Sequence, residues 1–186
     1  IPRDYLTGSL DEDEIARTDN LFSDNNEKLL SFTYPIKNMK VDNLYKTRLI
    51  SMILVNDNII TVSLDELEFL EDISKGNLTY MKSISNNIDL IFEIVWKINK
   101  LFLSYLHEIK IEQEEISENL LKTTDSKTLV KQANLIKSTI YFDYALEANN
   151  KIIEKMSELI DRKDNKYRRI IKALEIENKQ ALIRNG

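Results

Sequence analysis

Two groups of acidic residues are the strongest candidates for chemistry in this sequence. The first lies in a short segment and the second near the end of a long predicted helix. Carboxylates suit a hydrated Mg²⁺ ion, because one or two of them and several water molecules complete its octahedron. A solvated helix face produces the same pattern, so spacing alone leaves both interpretations open. The groups are Asp65, Glu66, Glu68, Glu71 and Asp72, and Glu112, Glu114, Glu115 and Glu118.

The residue types present give little support to other kinds of functional site. His107 is the only histidine, and its helical neighbours offer no triad partner, so it is interpreted as a surface histidine. Cysteine is absent, and the three glycines stand alone, which excludes thiolate metal sites and a phosphate-cradling loop. The sequence therefore predicts no catalytic residue and no cofactor-binding residue, and the chain is not expected to be an enzyme.

The charge is unevenly distributed along the chain. Residues 1–126 carry 13 Lys and Arg against 23 Asp and Glu, a net charge of −10, whereas residues 127–186 carry 13 against 8, a net charge of +5. The acidic part repels nucleic acid and favours divalent cations, so no nucleic-acid partner is expected. The basic end suits either an anionic membrane surface or a solvated helix. No apolar run approaches the roughly 18 residues that span a bilayer.

Three β-rich runs predict strands in the first 80 residues. Lys28–Ile36 ends beside Pro35 and suggests a strand near a sheet edge. Lys46–Val55 and Asn58–Ser63 flank a turn signal and predict a hairpin.

Two capping boxes predict helix starts in the same region. Ser9 with Glu12 opens a short helix that ends near Thr18, and Ser63 with Glu66 opens one that stops near Gly76.

The rest of the chain predicts long helices, because only three Gly and two Pro occur in 186 residues. The first shows the alternating spacing of a coiled-coil seam. A second helix carries a similar apolar row, and a third begins near Tyr167. Tyr141, Phe142 and Tyr144 are interpreted as core residues. The two rows are Ile84, Ile88, Ile91, Val95, Ile98, Phe102, Tyr105 and Ile109, and Leu129, Ala133, Ile136, Ile140, Tyr144, Ala148, Ile152, Met156 and Leu159.

These elements predict an α/β (α+β) fold in which a mixed β-sheet flanked by helices precedes long antiparallel helices. Residues 1–82 form a mixed αβ subdomain, and residues 83–186 form a long helical hairpin and the start of a further helix.

Several segments, taken in order, resemble the N-terminal domain of CorA-like magnesium and divalent-cation transporters. No single segment is decisive, but their order and spacing extend over nearly the whole chain. They are Pro2–Glu14 (PRDYLTGSLDEDE), Ile53–Val62 (ILVNDNIITV), Leu135–Phe142 (LIKSTIYF), Ala145–Asn149 (ALEAN) and Glu175–Ala181 (EIENKQA).

The resemblance implies a regulatory domain on the cytoplasmic face of a bacterial membrane. The last helix would be a stalk that leads to membrane helices beyond the residues given, and the subunits would form a homopentamer. Mg²⁺, or another divalent ion, would bind weakly between the domains and hold the pore shut. The resemblance assigns no metal ligand to a numbered residue. The alternative is a soluble coiled-coil scaffold that binds a partner through its apolar seam.

Overall fold

The structure is a computed structural model that describes residues 3–8, 18–19, 27–120, 125–158, 160 and 164–185. Within these residues, an antiparallel sheet is followed by long helices, which confirms the predicted fold class. The larger of two clusters of buried residues runs through both the sheet and the helices, and the smaller one packs Tyr5 of the first helix on the sheet. The division of the chain at residue 82 stays a prediction.

The described sheet has the strand order β1-β2-β3-β4, from Thr18–Asp19, Glu27–Lys37, Tyr45–Val55 and Asn58–Ser63. All three strand pairs are antiparallel, whereas the sequence predicted a mixed sheet. Short connections impose this arrangement, because parallel strands need a crossover of a dozen or more residues. The predicted hairpin is confirmed: Val55 pairs with Asn58 across a two-residue turn in which Asn56 has a φ of 52°.

The helices are α1 (Arg3–Thr7), α2 (Glu68–Ser74), α3 (Asn87–Leu120), α4 (Ser126–Lys155) and α5 (Asn165–Asn185). A single 3₁₀ turn, Met156–Glu158, extends α4. Asp125 caps α4 by accepting a hydrogen bond of 2.6 Å from the Thr128 amide.

The predicted second capping box is wrong. Helix α2 begins at Glu68, after Leu67, and the Ser63 hydroxyl instead donates to the Asp65 carbonyl at 2.7 Å. The stop near Gly76 is confirmed, since this glycine has a φ of 82°. The first capping box lies outside the described residues, and Thr18 belongs to a strand rather than to a helix end.

The apolar row of α3 is buried within the chain. Ile91, Val95, Ile98 and Phe102 are at most 1% exposed, so this seam packs against the chain's own sheet and helices. It is therefore not available to a separate coiled-coil partner.

The predicted row of α4 is largely wrong. Leu129, Ile136, Ile140 and Tyr144 lie on the outer side of the helix, and Tyr144 is 71% exposed. Helix α4 carries apolar side chains on both sides, and the side that packs on the sheet and the other helices is the one that becomes buried. The residues buried there are Leu135, Ser138, Phe142, Ala145, Leu146, Asn149, Ile152 and Ile153.

Candidate cation site

The first acidic group lines a cavity beside α2. The cavity has a volume of about 380 Å³ and lies between β2, α2 and α3. Four carboxylates and no Lys or Arg line it: Asp65, Glu66, Glu68 and Asp72. The cavity therefore has the donor chemistry that a hard divalent cation requires.

Hydrogen bonding to the sheet fixes one of these carboxylates. The Tyr34 hydroxyl donates to Oδ2 of Asp65 at 2.7 Å, and Nε of Arg48 lies 4.0 Å from the same oxygen. Burial raises the pKa of the Tyr34 hydroxyl well above its usual value, and the neighbouring Asp65 carboxylate raises it further. Tyr34 thus remains a neutral donor, which anchors Asp65 at the wall of the cavity.

Two other carboxylates of α2 are paired with lysines. Oδ2 of Asp72 lies 3.9 Å from Nζ of Lys97, and Glu71 forms a 2.6 Å ion pair with Lys75 one turn further along. Both contacts are at least partly exposed and are therefore weak. Glu66 and Glu68 are exposed and form no ion pair with any described residue. These two carboxylates are the most accessible to a cation from solvent.

The second acidic group does not form a common site. Oε1 of Glu112 accepts hydrogen bonds from Tyr45 at 2.9 Å and from Lys37 at 3.3 Å, while Oε2 accepts from Asn43. This carboxylate therefore ties α3 to the loop between β2 and β3. The remaining members of the group, Glu114, Glu115 and Glu118, are exposed on the helix surface.

Within the described part of the chain, no three His, Asp or Glu side chains lie close enough to hold a metal ion together. The cavity beside α2 can therefore offer a cation only one or two ligands at a time from this chain. Such a site fits a hydrated Mg²⁺ ion, which keeps most of its water, or a site completed by a second copy of the chain.

His107 lies exposed on α3, as predicted for an ordinary surface histidine.

Sequence reasoning missed a buried cluster between the first turns of α3 and α5. Asp89 is fully buried and accepts hydrogen bonds from Lys166 at 2.7 Å, from Tyr167 at 2.9 Å and from the Ser85 amide at 3.0 Å. Burial by itself would raise the pKa of Asp89, but these donors outweigh it and hold the pKa below its usual value. The cluster joins the start of α5 to the start of α3, and a separation of 77 residues hides it from sequence patterns.

Glu93 is a second buried carboxylate that the sequence did not reveal. It is fully buried, and its two oxygens accept hydrogen bonds from the amides of Thr79, Tyr80 and Met81. These bonds position the segment between α2 and α3. These contacts span 12 to 14 residues and follow no local motif, so no signal in the sequence distinguishes Glu93 from a surface glutamate.

Comparison with known proteins identifies the family. The model of the family described as "CorA-like Mg2+ transporter protein" matches residues 1–183. The chain belongs to this family. No curated protein sequence matches the chain significantly.

Solved structures share the fold. The soluble domain of CorA from Methanocaldococcus jannaschii superposes with a TM-score of 0.81 at 21% identity, covering 97% of this chain and 71% of that one. The complete CorA magnesium transporter from the same organism gives 0.81 at 20% identity, covering all of this chain and 57% of that one. The ZntB cytoplasmic domain from Vibrio parahaemolyticus gives 0.62 at 17% identity, covering 100% and 75%.

The chain thus spans a little over half the length of the complete CorA structure. Among the described residues, no helix is both long and apolar enough to cross a lipid bilayer.

Proposed function

We propose that this chain is the Mg²⁺-sensing regulatory domain of a CorA-type transporter and lies on the cytoplasmic face of a bacterial membrane. It acts by binding rather than by catalysis. In the assembled homopentamer, Mg²⁺ or another divalent ion reduces the repulsion between carboxylates of neighbouring domains and favours the closed pore. Loss of the ion lets the domains move apart.

The main support for this proposal is the cavity beside α2, which lies in a chain of the CorA-like family. Four carboxylates line the cavity; Asp65 and Asp72 lie near Arg48 and Lys97, whereas Glu66 and Glu68 form no ion pair with a described residue. A divalent cation that binds to these acidic side chains only in the native state stabilises that state. The few ligands that one chain provides favour weak binding, as a sensor of millimolar Mg²⁺ requires.

Thermal melting of the chain in MgCl₂ tests the proposal, with NaCl matched for ionic strength as the control. A ligand that binds only the native state at ten times its Kd stabilises it by about 1.4 kcal/mol. For a chain of this length, that corresponds to a rise in melting temperature of about 3–6 °C. Equal melting temperatures in the two salts, up to tens of millimolar Mg²⁺, would count against Mg²⁺ sensing by this chain.

A second experiment addresses assembly. Sedimentation velocity in MgCl₂ and in EDTA measures the size of the particle in each condition. The proposal predicts that Mg²⁺ favours the larger species, because the ion reduces repulsion between acidic surfaces of different copies. A size that does not respond to Mg²⁺ would contradict an ion-bridged assembly of this chain.

The exposed row on α4 favours a second candidate function, a scaffold. Leu129, Ile136 and Ile140 are each nearly half exposed, and together with Tyr144 they form an apolar strip on one side of the helix. A scaffold would associate through this strip in a manner independent of divalent ions. Association that Ile136→Glu abolishes and Mg²⁺ leaves unchanged would favour this candidate over ion sensing.

A further inference from the structure

Three buried asparagines connect the three long helices and the sheet. The side-chain amide of Asn99 in α3 lies 3.5 Å from the Leu174 carbonyl in α5. One turn further along α5, Asn178 donates to the Leu146 carbonyl in α4 at 2.9 Å. Asn149, the next inward residue of α4, donates to the Thr33 carbonyl in β2 at 2.7 Å. Each helix thus contributes one carboxamide to its neighbour.

The three asparagines differ in how completely they are hydrogen-bonded. The Asn149 oxygen accepts a bond from the Thr33 amide at 2.8 Å, so that carboxamide is paired on both sides. The side-chain oxygens of Asn99 and Asn178 have no partner among the described residues, although these residues are only 2% and 0% exposed. Each of these two carboxamides therefore has one polar contact with a described residue, and that contact lies on a different helix.

The surroundings of these asparagines suggest what they do contribute. Leu174 and Ala181 flank Asn178 on the inner side of α5 and are fully buried, and Ile98 and Phe102 flank Asn99 on α3. The apolar part of this seam tolerates a shift by one helical turn, about 5.4 Å, because apolar groups still meet apolar groups. At the start of α5, the bonds of Lys166 and Tyr167 to Asp89 also oppose such a shift. A carboxamide does not tolerate it, since the shift separates the amide from the carbonyl that accepts its proton.

We propose that Asn99 and Asn178 are positioning residues that hold α5 in a single axial register against α3 and α4. In the observed register Asn178 donates a hydrogen bond to α4, and the Asn99 amide lies at the limit of hydrogen-bond distance from an α5 carbonyl. Single polar residues in coiled-coil seams act in this way. This role in the placement of α5 does not depend on whether the chain senses Mg²⁺.

Spin labels on α3 and α5 provide the test, and the absence of cysteine lets two labels be placed without background. Lys110→Cys and Lys172→Cys lie on exposed parts of the two helices and at different heights along them, so an axial shift changes the distance between the labels. Pulsed dipolar spectroscopy should give one distance for the parent chain. Because Lys166 and Tyr167 also hold the start of α5 on Asp89, the comparison is made in an Asp89→Ala background. There the double variant Asn99→Leu/Asn178→Leu should show a second distance that differs by up to about 5 Å, one helical turn.

The control is Asn134→Leu on α4, a partly exposed asparagine whose amide donates to the Asp42 carbonyl at 3.1 Å. It should leave the single distance unchanged. If the double variant does not fold, Asn178→Ala removes the carboxamide without adding volume and is interpreted in the same way. An unchanged single distance in the double variant, or in the folded Asn178→Ala chain, would overturn the proposal.

Discussion

Asn149 of α4 takes the place of a neighbouring strand beside Thr33 of β2. Its carboxamide accepts a hydrogen bond from the Thr33 amide at 2.8 Å and donates one to the Thr33 carbonyl at 2.7 Å. Strand β1 pairs with β2 only at Leu29 and Leu30, so Thr33 has no strand on that side among the described residues. A strand edge with unpaired amides and carbonyls is a liability, and a single side chain of α4 satisfies it here.

Replacing Asn149 with Leu should therefore be costly. The substitution removes both partners of a buried backbone position, and each loss costs about 1–3 kcal/mol. We expect a loss of about 2–4 kcal/mol in the free energy of unfolding, measured by urea denaturation. Asn134→Leu on the same helix should cost less than about 1 kcal/mol, because its amide bonds at the surface. Equal losses in the two variants would contradict the role assigned to Asn149.

The ion pair between buried Asp89 and half-exposed Lys166 should make stability depend on pH at the acid end. The pKa of Asp89 is lowered in the folded chain, so the unfolded chain takes up its proton first as the pH falls. The contribution of Asp89 is complete above the unfolded pKa of about 3.9 and is lost as the pH falls towards the folded value. The pKa of Lys166 is raised by its hydrogen bond to Asp89, so its contribution is lost only as the pH rises beyond the usual lysine range.

Asp89→Asn tests this pair. Hydrogen bonds to charged groups contribute about 1.5–3 kcal/mol, and the lower end applies here because the Lys166 side chain is half exposed. Urea denaturation at pH 7 should therefore show a loss of about 1–2 kcal/mol. The difference between the parent chain and the variant should shrink as the pH is lowered from about 4 to about 2. A difference that stays constant over this range would show that the Asp89 charge does not contribute.

The outer row of α4 predicts tolerance to charge. Ile136 and Ile140 are 49% and 48% exposed, so Ile136→Glu and Ile140→Glu should change the melting temperature by only about 1–2 °C. Phe142, on the inner side, is fully buried and forms edge-to-face contacts with Phe102 and Tyr45. Phe142→Ala should cost about 3–5 kcal/mol. A large loss of thermal stability in the Ile variants would mean that the row is covered, for example by another copy of the chain.

The elements of this fold could be predicted from the sequence where local patterns decide the outcome. The hairpin at Asn56 and the buried row of α3 follow from turn chemistry and from a single apolar stripe. The same reasoning predicted the wrong buried row for helix α4, because both of its sides carry apolar residues and only tertiary packing decides which side is buried. Tyr144 illustrates this, since its spacing places it in the row although the structure exposes it.

The residue types of the candidate site could be predicted from the sequence, but the position of the site in the fold could not. The acidic segment around Glu66 is visible in the sequence, yet the donation from Tyr34 to Asp65 and the pairing of Asp72 with Lys97 depend on contacts between distant elements. The same holds for Glu112, which looked like a surface carboxylate but ties a loop to α3. Charge composition indicates an affinity for cations, whereas three-dimensional packing determines which carboxylates remain available.

Binding of Mg²⁺ at the carboxylates of the cavity beside α2 can be tested by thermal melting of Glu66→Gln/Glu68→Gln with and without MgCl₂. The matched control is Glu114→Gln/Glu118→Gln, which removes the same charge from the exposed end of α3.

Mg²⁺ should raise the melting temperature of the parent chain and of the control by about 3–6 °C, whereas the cavity variant should lose most of this rise. The cavity variant should also melt higher than the parent chain without Mg²⁺, because the substitutions relieve repulsion between carboxylates. If Mg²⁺ raised the melting temperature of the cavity variant as much as that of the control, Mg²⁺ binding at this cavity would be contradicted.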